Sequence, residues 1–228
     1  MLTLHSNDVV LFQGDSITDG NRGRNEDPNH ILGHGFACMI SAKLGADNLA
    51  AQPVFLNRGQ SGDGIQELLC RWRKDGILLR PTILNLLIGI NDSSAFHSYG
   101  ADGSGMPAER YEEILQMLLT DAYKELPGLE TVLCEPFYLP YGEIGEREKR
   151  IKREVSGYAG VVKRLAEEFG CVFLPLQEKL EEASGECDSR YLVWDGVHPT
   201  MVGHEILTRE WFRVAAPALE RKRAGRNG

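Results

Sequence analysis

The chain is short of organised cysteine, of long apolar runs and of basic charge, and each shortage removes a class of function. Its five cysteines, Cys38, Cys70, Cys134, Cys171 and Cys187, show no CxxC spacing, and several sit inside apolar runs. A thiol so placed behaves as a small hydrophobe, so neither a zinc site nor a disulfide framework is indicated. No stretch approaches the roughly 20 apolar residues of a membrane span. Residues 1–8 lack the basic start and apolar core of an export signal. A soluble, cytoplasmic protein in a reducing setting is therefore expected. With 25 Lys and Arg against 33 Asp and Glu, the net charge is −8. Nucleic acids and anionic membranes select for clustered Lys and Arg, so neither is expected as a partner. The basic segment 221–226 reads as a frayed, solvated terminus.

At 228 residues and 42% hydrophobic content, the chain can bury one sizeable core, and a single domain over residues 1–228 is expected. Short apolar runs alternate with longer amphipathic ones, which predicts an α/β fold: a five-stranded parallel sheet between two helical layers, a three-layer α/β/α sandwich. The strands are predicted at 9–12, 54–57, 83–88, 131–135 and 172–176. Helices are predicted at 35–44, 65–79, 107–126, 146–169 and 200–215. Pro107 suits a first helical turn and Gly170 a helix stop. Ligands of such sheets bind beyond the carboxyl ends of the strands. Three long loops, 21–34, 93–106 and 139–147, are expected to wall a pocket there.

Four short segments occupy that rim: Gly14-Asp15-Ser16-Ile17-Thr18, Asn57-Arg58-Gly59-Gln60-Ser61-Gly62, Gly89-Ile90-Asn91-Asp92 and Asp195-Gly196-Val197-His198-Pro199. Ser16 supplies a hydroxyl, which is a weak nucleophile until a base takes its proton. His198 and Asp195, three residues apart in one loop, can supply the base and the carboxylate that orients it. The Asn91 carboxamide and the backbone N–H of Gly62 and Ser16 can stabilise an oxyanion. Taken singly, each has a plainer explanation as a turn serine, a turn aspartate with a capping histidine, a turn asparagine or a permissive glycine. Four complementary parts at four strand ends are not expected from turn chemistry. Thr18 breaks the GxSxG pattern, so the elbow of ordinary α/β-hydrolases is excluded.

These segments resemble the four blocks of the SGNH, or GDSL, hydrolases, which contribute serine, glycine, asparagine and histidine in this order. Ser16, Gly62, Asn91 and His198 match them, with Asp195 in the acid position and Ile17 replacing the leucine of the name-giving motif. The resemblance implies a flavodoxin-like sheet, a Ser-His-Asp triad and a Ser/Gly/Asn oxyanion hole. Arg22-Gly23-Arg24 after the first block, Cys70-Arg71-Trp72, Val193-Trp194-Asp195 and Gly203-His204 are similar to intracellular bacterial acetylxylooligosaccharide esterases. That likeness implies a small acyl ester substrate, an acetylated oligosaccharide. Short-chain lipid ester or thioester hydrolysis is the alternative within enzymes, and a carbohydrate-binding protein with a vestigial triad is the alternative outside them. The sequence is compatible with a homo-oligomer.

No cofactor or metal is expected. Gly59 to Gly64 lacks both GxGxxG and GKS/T spacing, so turn and oxyanion duty is preferred to phosphate binding. Asp27, His30 and His34 read as a polar loop rather than a metal site. Asp15 is expected to tie down the turn at Ser16 and to contribute to substrate binding, and Trp194 to line the pocket. His204 is assigned to core or interface, as are Trp72, Trp211 and Phe212.

Overall fold

A computed structural model describes residues 1–25 and 27–226. Glu26, in the 21–34 loop, and Asn227 and Gly228 lie outside the described residues. Five parallel strands, β1 (Val9–Gly14), β2 (Val54–Asn57), β3 (Ile83–Leu87), β4 (Glu130–Cys134) and β5 (Val172–Leu174), form one sheet in the order β2-β1-β3-β4-β5. Leu11 of β1 pairs with Leu56 of β2 on one side and Leu84 of β3 on the other. The chain leaves β1 first for β2 and later for β3, so the order reverses between β1 and β3. That switch point opens a crevice at their carboxyl ends.

Helices α1 (Ser16–Asp19), α2 (Phe36–Asp47), α3 (Ile65–Asp75), α4 (Ala108–Glu125), α5 (Glu146–Glu168), α6 (Gln177–Ser184) and α7 (Met201–Arg226) complete the elements, with 3₁₀ turns at Ile77–Leu79 and Ser189–Tyr191. Strand alternation sorts them into two layers. Val10, Phe12, Ile83 and Leu87 pack with Phe36 and Ile40 of α2 and with Trp211 and Ala215 of α7. Leu11, Leu84 and Leu86 face α3, α4 and α5 through Leu68, Leu115 and Val162. In α4, Tyr111, Ile114, Leu115, Leu118, Leu119 and Ala122 are buried, the i, i+3, i+4 spacing of one apolar stripe. The polar Asn85, mid-strand in β3, is satisfied by the Trp211 indole N–H, which donates to its Oδ1 at 2.7 Å. The expected three-layer sandwich is thus present, with strand ends shifted by one or two residues.

Several elements differ from expectation: α1 is additional, the helix expected at 65–79 ends at Asp75 before a separate 3₁₀ turn, and α7 runs to Arg226 rather than ending at 215. Helix α6 has only Leu180 buried, so its apolar periodicity is too thin to read. Pro107 precedes the first turn of α4 as its cap rather than sitting inside it. The segment 221–226 is helical, not frayed. Arg223 there grips Asp8 through Nη1 at 2.8 Å and Nη2 at 2.5 Å, and burial of that bidentate pair anchors the end of α7 beside β1. No helix among the described residues is long and apolar enough to cross a membrane.

Candidate active site

Ser16 is placed by a strand end that only glycine allows. Gly14 closes β1 with φ +152°, and a Cβ there would lie 2.1 Å from the Leu87 carbonyl oxygen of β3. Asp15 then caps α1, its Oδ1 accepting the Ile17 N–H at 2.9 Å. Ser16 is the first residue of α1, so its own N–H has no acceptor within the helix. The hydroxyl therefore stands at the crevice with a backbone donor beside it.

His198 comes from the other end of the chain, 182 positions away, and its Nε2 lies 2.7 Å from Ser16 Oγ. Asp195 performs two tasks. Its Oδ1 accepts the backbone N–H of Val197 (3.0 Å) and His198 (2.7 Å), which curls the loop, and its Oδ2 lies 2.6 Å from His198 Nδ1. Burial would raise the Asp195 pKa, but the hydrogen bonds from the His198 backbone, the His198 ring and the Val197 backbone outweigh it and hold the carboxyl below its ordinary range. An ionised carboxylate only accepts, so Nδ1 carries a proton and Nε2 is left to receive one from Ser16. The loop is backed by the Leu139 N–H, which donates to Gly196 O at 2.9 Å.

The second and third segments meet each other at Asp63 and Asn91, and Ser61 of the second lines the cleft with Ser16 and His198. Asn91 Nδ2 donates to Asp63 O at 2.8 Å, which draws the carboxamide against Gly62-Asp63 and occupies one of its two N–H groups. Gly62 adopts φ +89°, and a Cβ there would meet nothing within 4 Å, so the backbone angle, not crowding, calls for glycine. Its N–H has no hydrogen-bond partner among the described residues. His97 Nδ1 lies 2.6 Å from Asn91 O and braces the segment from the 93–106 loop.

A cleft of about 420 Å³ opens over Ser16 and His198, walled by His34, Ser61, Trp194 and His204 among others. Trp194 is 58% exposed and stacks on the His198 ring at 6.0 Å between centroids. His204 is buried on α7, as a core assignment expects, and its ring also forms part of the cleft wall. The Phe36 N–H donates to its Nδ1 at 3.2 Å, and burial, aided by nearby His198, pushes its pKa down to about 4. It stays neutral with its proton on Nε2. Asp15 ties down the turn at Ser16 as expected, but the expectation that it contributes to substrate binding is corrected, because it is 1% exposed and does not line the cleft. Of the three loops expected to form walls, only 21–34 contributes lining residues, Asn21 and His34. The signal that could have found His204 is its spacing after the Asp195 loop, one helical turn past Thr200, whose carbonyl accepts its N–H at 2.9 Å.

No grouping of three or more His, Cys, Asp or Glu side chains suited to a metal occurs among the described residues. His30 Nε2 lies 3.8 Å from Asp27 Oδ2, and the His30 and His34 rings meet edge to face.

A family model of GDSL-like lipases and acylhydrolases matches residues 12–206. The chain belongs to this GDSL-like lipase/acylhydrolase family. Within the family it is 30% identical over 217 residues to an acetylxylan esterase of Geobacillus stearothermophilus, covering 93% of this chain and 95% of that one. The crystal structure of the Geobacillus stearothermophilus acetylxylan esterase Axe2 matches with a TM-score of 0.80 over 92% of this chain and 94% of that one, at 30% identity. A Parabacteroides merdae protein described as a GDSL-like lipase matches with a TM-score of 0.85 at 33% identity, over 94% and 98% of the two chains. The chain is accordingly a carboxylic ester hydrolase with the fold of these GDSL proteins.

Two buried carboxylates behind the GDSL serine give the protein a pH signature. Burial raises the pKa of Asp15 to about 7 and that of Asp92, whose two oxygens both accept the Ile65 N–H at the start of α3, also to about 7. Unfolded aspartates titrate near ~3.9. Between these values the folded chain holds protons that the unfolded chain has released. Stability from these groups is therefore full below about pH 4 and declines as pH rises towards about 7. Asp92→Asn cannot ionise, so its stability should fall less steeply than that of the wild type across this interval in urea unfolding. Parallel profiles would refute the assignment.

Proposed function

We propose that the protein is a serine esterase that removes small acyl groups, chiefly acetyl, from carbohydrate hydroxyls such as those of xylooligosaccharides. The observation that carries this reading is the unbroken pair of short contacts from Ser16 Oγ through His198 to Asp195, at the switch point of the sheet. His198 Nε2 takes the Ser16 proton as Oγ attacks the ester carbonyl, and Asp195 stabilises the resulting imidazolium. The oxyanion is held by the N–H groups of Ser16 and Gly62 and the free N–H of the Asn91 amide. His198 then protonates the leaving alcohol. Water enters, gives its proton to the same imidazole and releases the acid from Ser16. No step in this sequence calls on a cofactor.

Three features support a small acyl group on a polar alcohol. The cleft is compact, its wall carries His34, Ser61 and His204, and Trp194 offers an exposed aromatic face beside the base. An exposed indole face suits the apolar side of a sugar ring. The acetylxylan esterase likeness supports the same substrate class. A single domain in a reducing, cytoplasmic setting completes the reading, with five unpaired cysteines in support. The test is acetate release from acetylated xylooligosaccharides beside p-nitrophenyl esters of increasing chain length. Preference for acetyl and release from the sugar support the reading, whereas a rise with chain length would replace it with lipid ester hydrolysis.

Asn91→Ala isolates the oxyanion contribution. Loss of one such donor costs about 10²- to 10³-fold in kcat, with KM changed far less, because the interaction strengthens only as charge develops on oxygen. Steady-state kinetics on p-nitrophenyl acetate give the split. A rise in KM at constant kcat would mean that Asn91 binds substrate instead.

A further inference from the structure

A second cavity, of about 430 Å³, adjoins the cleft on the β2 side and is lined by Arg22, Arg24 and Arg58 around the apolar surfaces of Ile31 and Leu56. Three guanidinium groups around one cavity stand out in a chain of net charge −8. Arg22 and Arg58 are anchored by only part of their forks, whereas both terminal nitrogens of Arg24 are engaged, by Asp19, Arg22 O and the Gln60 side chain. Arg22 Nε donates to Gly59 O at 3.1 Å, Arg58 Nη1 to Asn57 O at 3.1 Å, and Arg24 holds both oxygens of Asp19 at 3.0 and 2.7 Å. Both terminal nitrogens of Arg22, and Nε and Nη2 of Arg58, have no partner among the described residues. Asp19 is the one carboxylate paired with this group among the described residues, since Asp63 faces Arg71. Among the described residues the cavity therefore carries an uncompensated charge of about two; Arg24 is exposed, but Arg22 and Arg58 are partly buried, where salt screens a charge less than at a free surface. Burial first, and the neighbouring Arg24 next, lowers the Arg22 pKa, as expected of a cation among cations.

One side chain, Asp19, links the linings of this cavity and the cleft. Asp19 Oδ2 accepts from Arg24 Nη2 at 2.7 Å and from Ser61 Oγ at 2.8 Å, and Ser61 lines the cleft over Ser16. Gly20 and Asn21 line the cleft, and Arg22 follows directly. Residues 20–22 and the Asp19 side chain therefore connect the walls of the two cavities.

We propose that the Arg22, Arg24 and Arg58 cavity is an anion subsite that takes a carboxylate or phosphate borne by the sugar next to the one deacylated at Ser16. Planar guanidinium forks match such oxygens in pairs, and the apolar strip of Ile31 and Leu56 suits the face of a sugar ring. The ester hydrolase then prefers acidic oligosaccharides over neutral ones of equal length. This rests on the carbohydrate reading for its substrate, but the anion site itself can be tested without turnover.

Titration calorimetry of the wild type with glucuronate, inorganic phosphate and glucose tests the site directly. Glucuronate, phosphate or both should bind, glucose should not, and binding should weaken about tenfold in Arg58→Gln and in Arg22→Gln. Binding of glucuronate alone marks a uronate source and binding of phosphate alone a sugar phosphate. Raising salt to about 0.5 M should weaken the interaction. In the second measurement, the ratio of kcat/KM for acetylated oligosaccharides with and without a uronate should be about ten in the wild type and near one in either variant, with Tm checking that each variant is folded. No anion binding, or binding that both folded variants retain in full, overturns the proposal. So does a wild-type ratio near one together with weak binding of every anion. If no acetylated sugar is turned over while anion binding persists and is lost in the variants, the carbohydrate reading fails and the anion site stands.

Discussion

Ser16→Ala is expected to lower kcat on every ester about 10⁶-fold, the scale on which removal of the nucleophile disables a triad. The size of the effect follows from what the residue touches. Its hydroxyl makes one side-chain contact, with His198, and the cap of α1 comes from Asp15, so the variant loses chemistry without losing its helix. Alanine is at home in a helix start, and Tm should move little. Burst kinetics on p-nitrophenyl acetate provide the check. The wild type should show an acyl-enzyme phase or rapid turnover, and the variant should show neither. Retention of even a hundredth of wild-type activity in a pure, folded sample would remove Ser16 from the role of nucleophile.

Asp195→Asn is expected to cost about 10⁴-fold in kcat, although the side chain barely changes shape. Oδ1 can keep accepting the Val197 and His198 backbone N–H groups, so the loop survives. The amide nitrogen then replaces Oδ2 and faces His198 Nδ1, now 2.6 Å away across a contact made by an acceptor. Two donors cannot share that contact. The imidazole must instead accept at Nδ1 and carry its proton on Nε2, where it meets Ser16 as a donor and cannot remove the hydroxyl proton. Steady-state kinetics, with a histidine NMR titration to report which nitrogen is protonated, test this. An unchanged tautomer together with full activity would show that Asp195 does not orient the base.

The strands were legible because the sheet is buried on both faces. In β3 every residue is buried, which writes an apolar run broken only by Asn85. Asp195 and His198 were legible for a different reason, since three residues apart in one loop their contact is nearly local, whereas Ser16 was legible from its motif and its contact with His198 spans 182 positions. What escaped is what depends on partners distant in sequence. His204 reads as one more residue on a helix, until Gly35 is seen to lie against its ring, where a Cβ would come within 2.7 Å of Cε1. Arg22, Arg24 and Arg58 belong to two loops, and nothing in their spacing announces that β2 brings them together. The 221–226 segment misled because its charge suggests solvent, whereas Asp8, 215 positions earlier, receives Arg223.

The contact between residues 16 and 198 spans most of the chain, and this separation sets when hydrolysis can begin. Strand β1 is made first during synthesis, but it is a central strand whose neighbours β2 and β3 come later, and the base waits for the segment just before α7. Closing so long a loop is entropically costly and must follow assembly of the intervening sheet. A nascent or truncated chain therefore carries a serine without a base and cannot acylate itself on passing esters. Recovered esterase activity reports completion of the last long-range step of folding, and a refolding experiment followed by turnover should lag behind one followed by helix content.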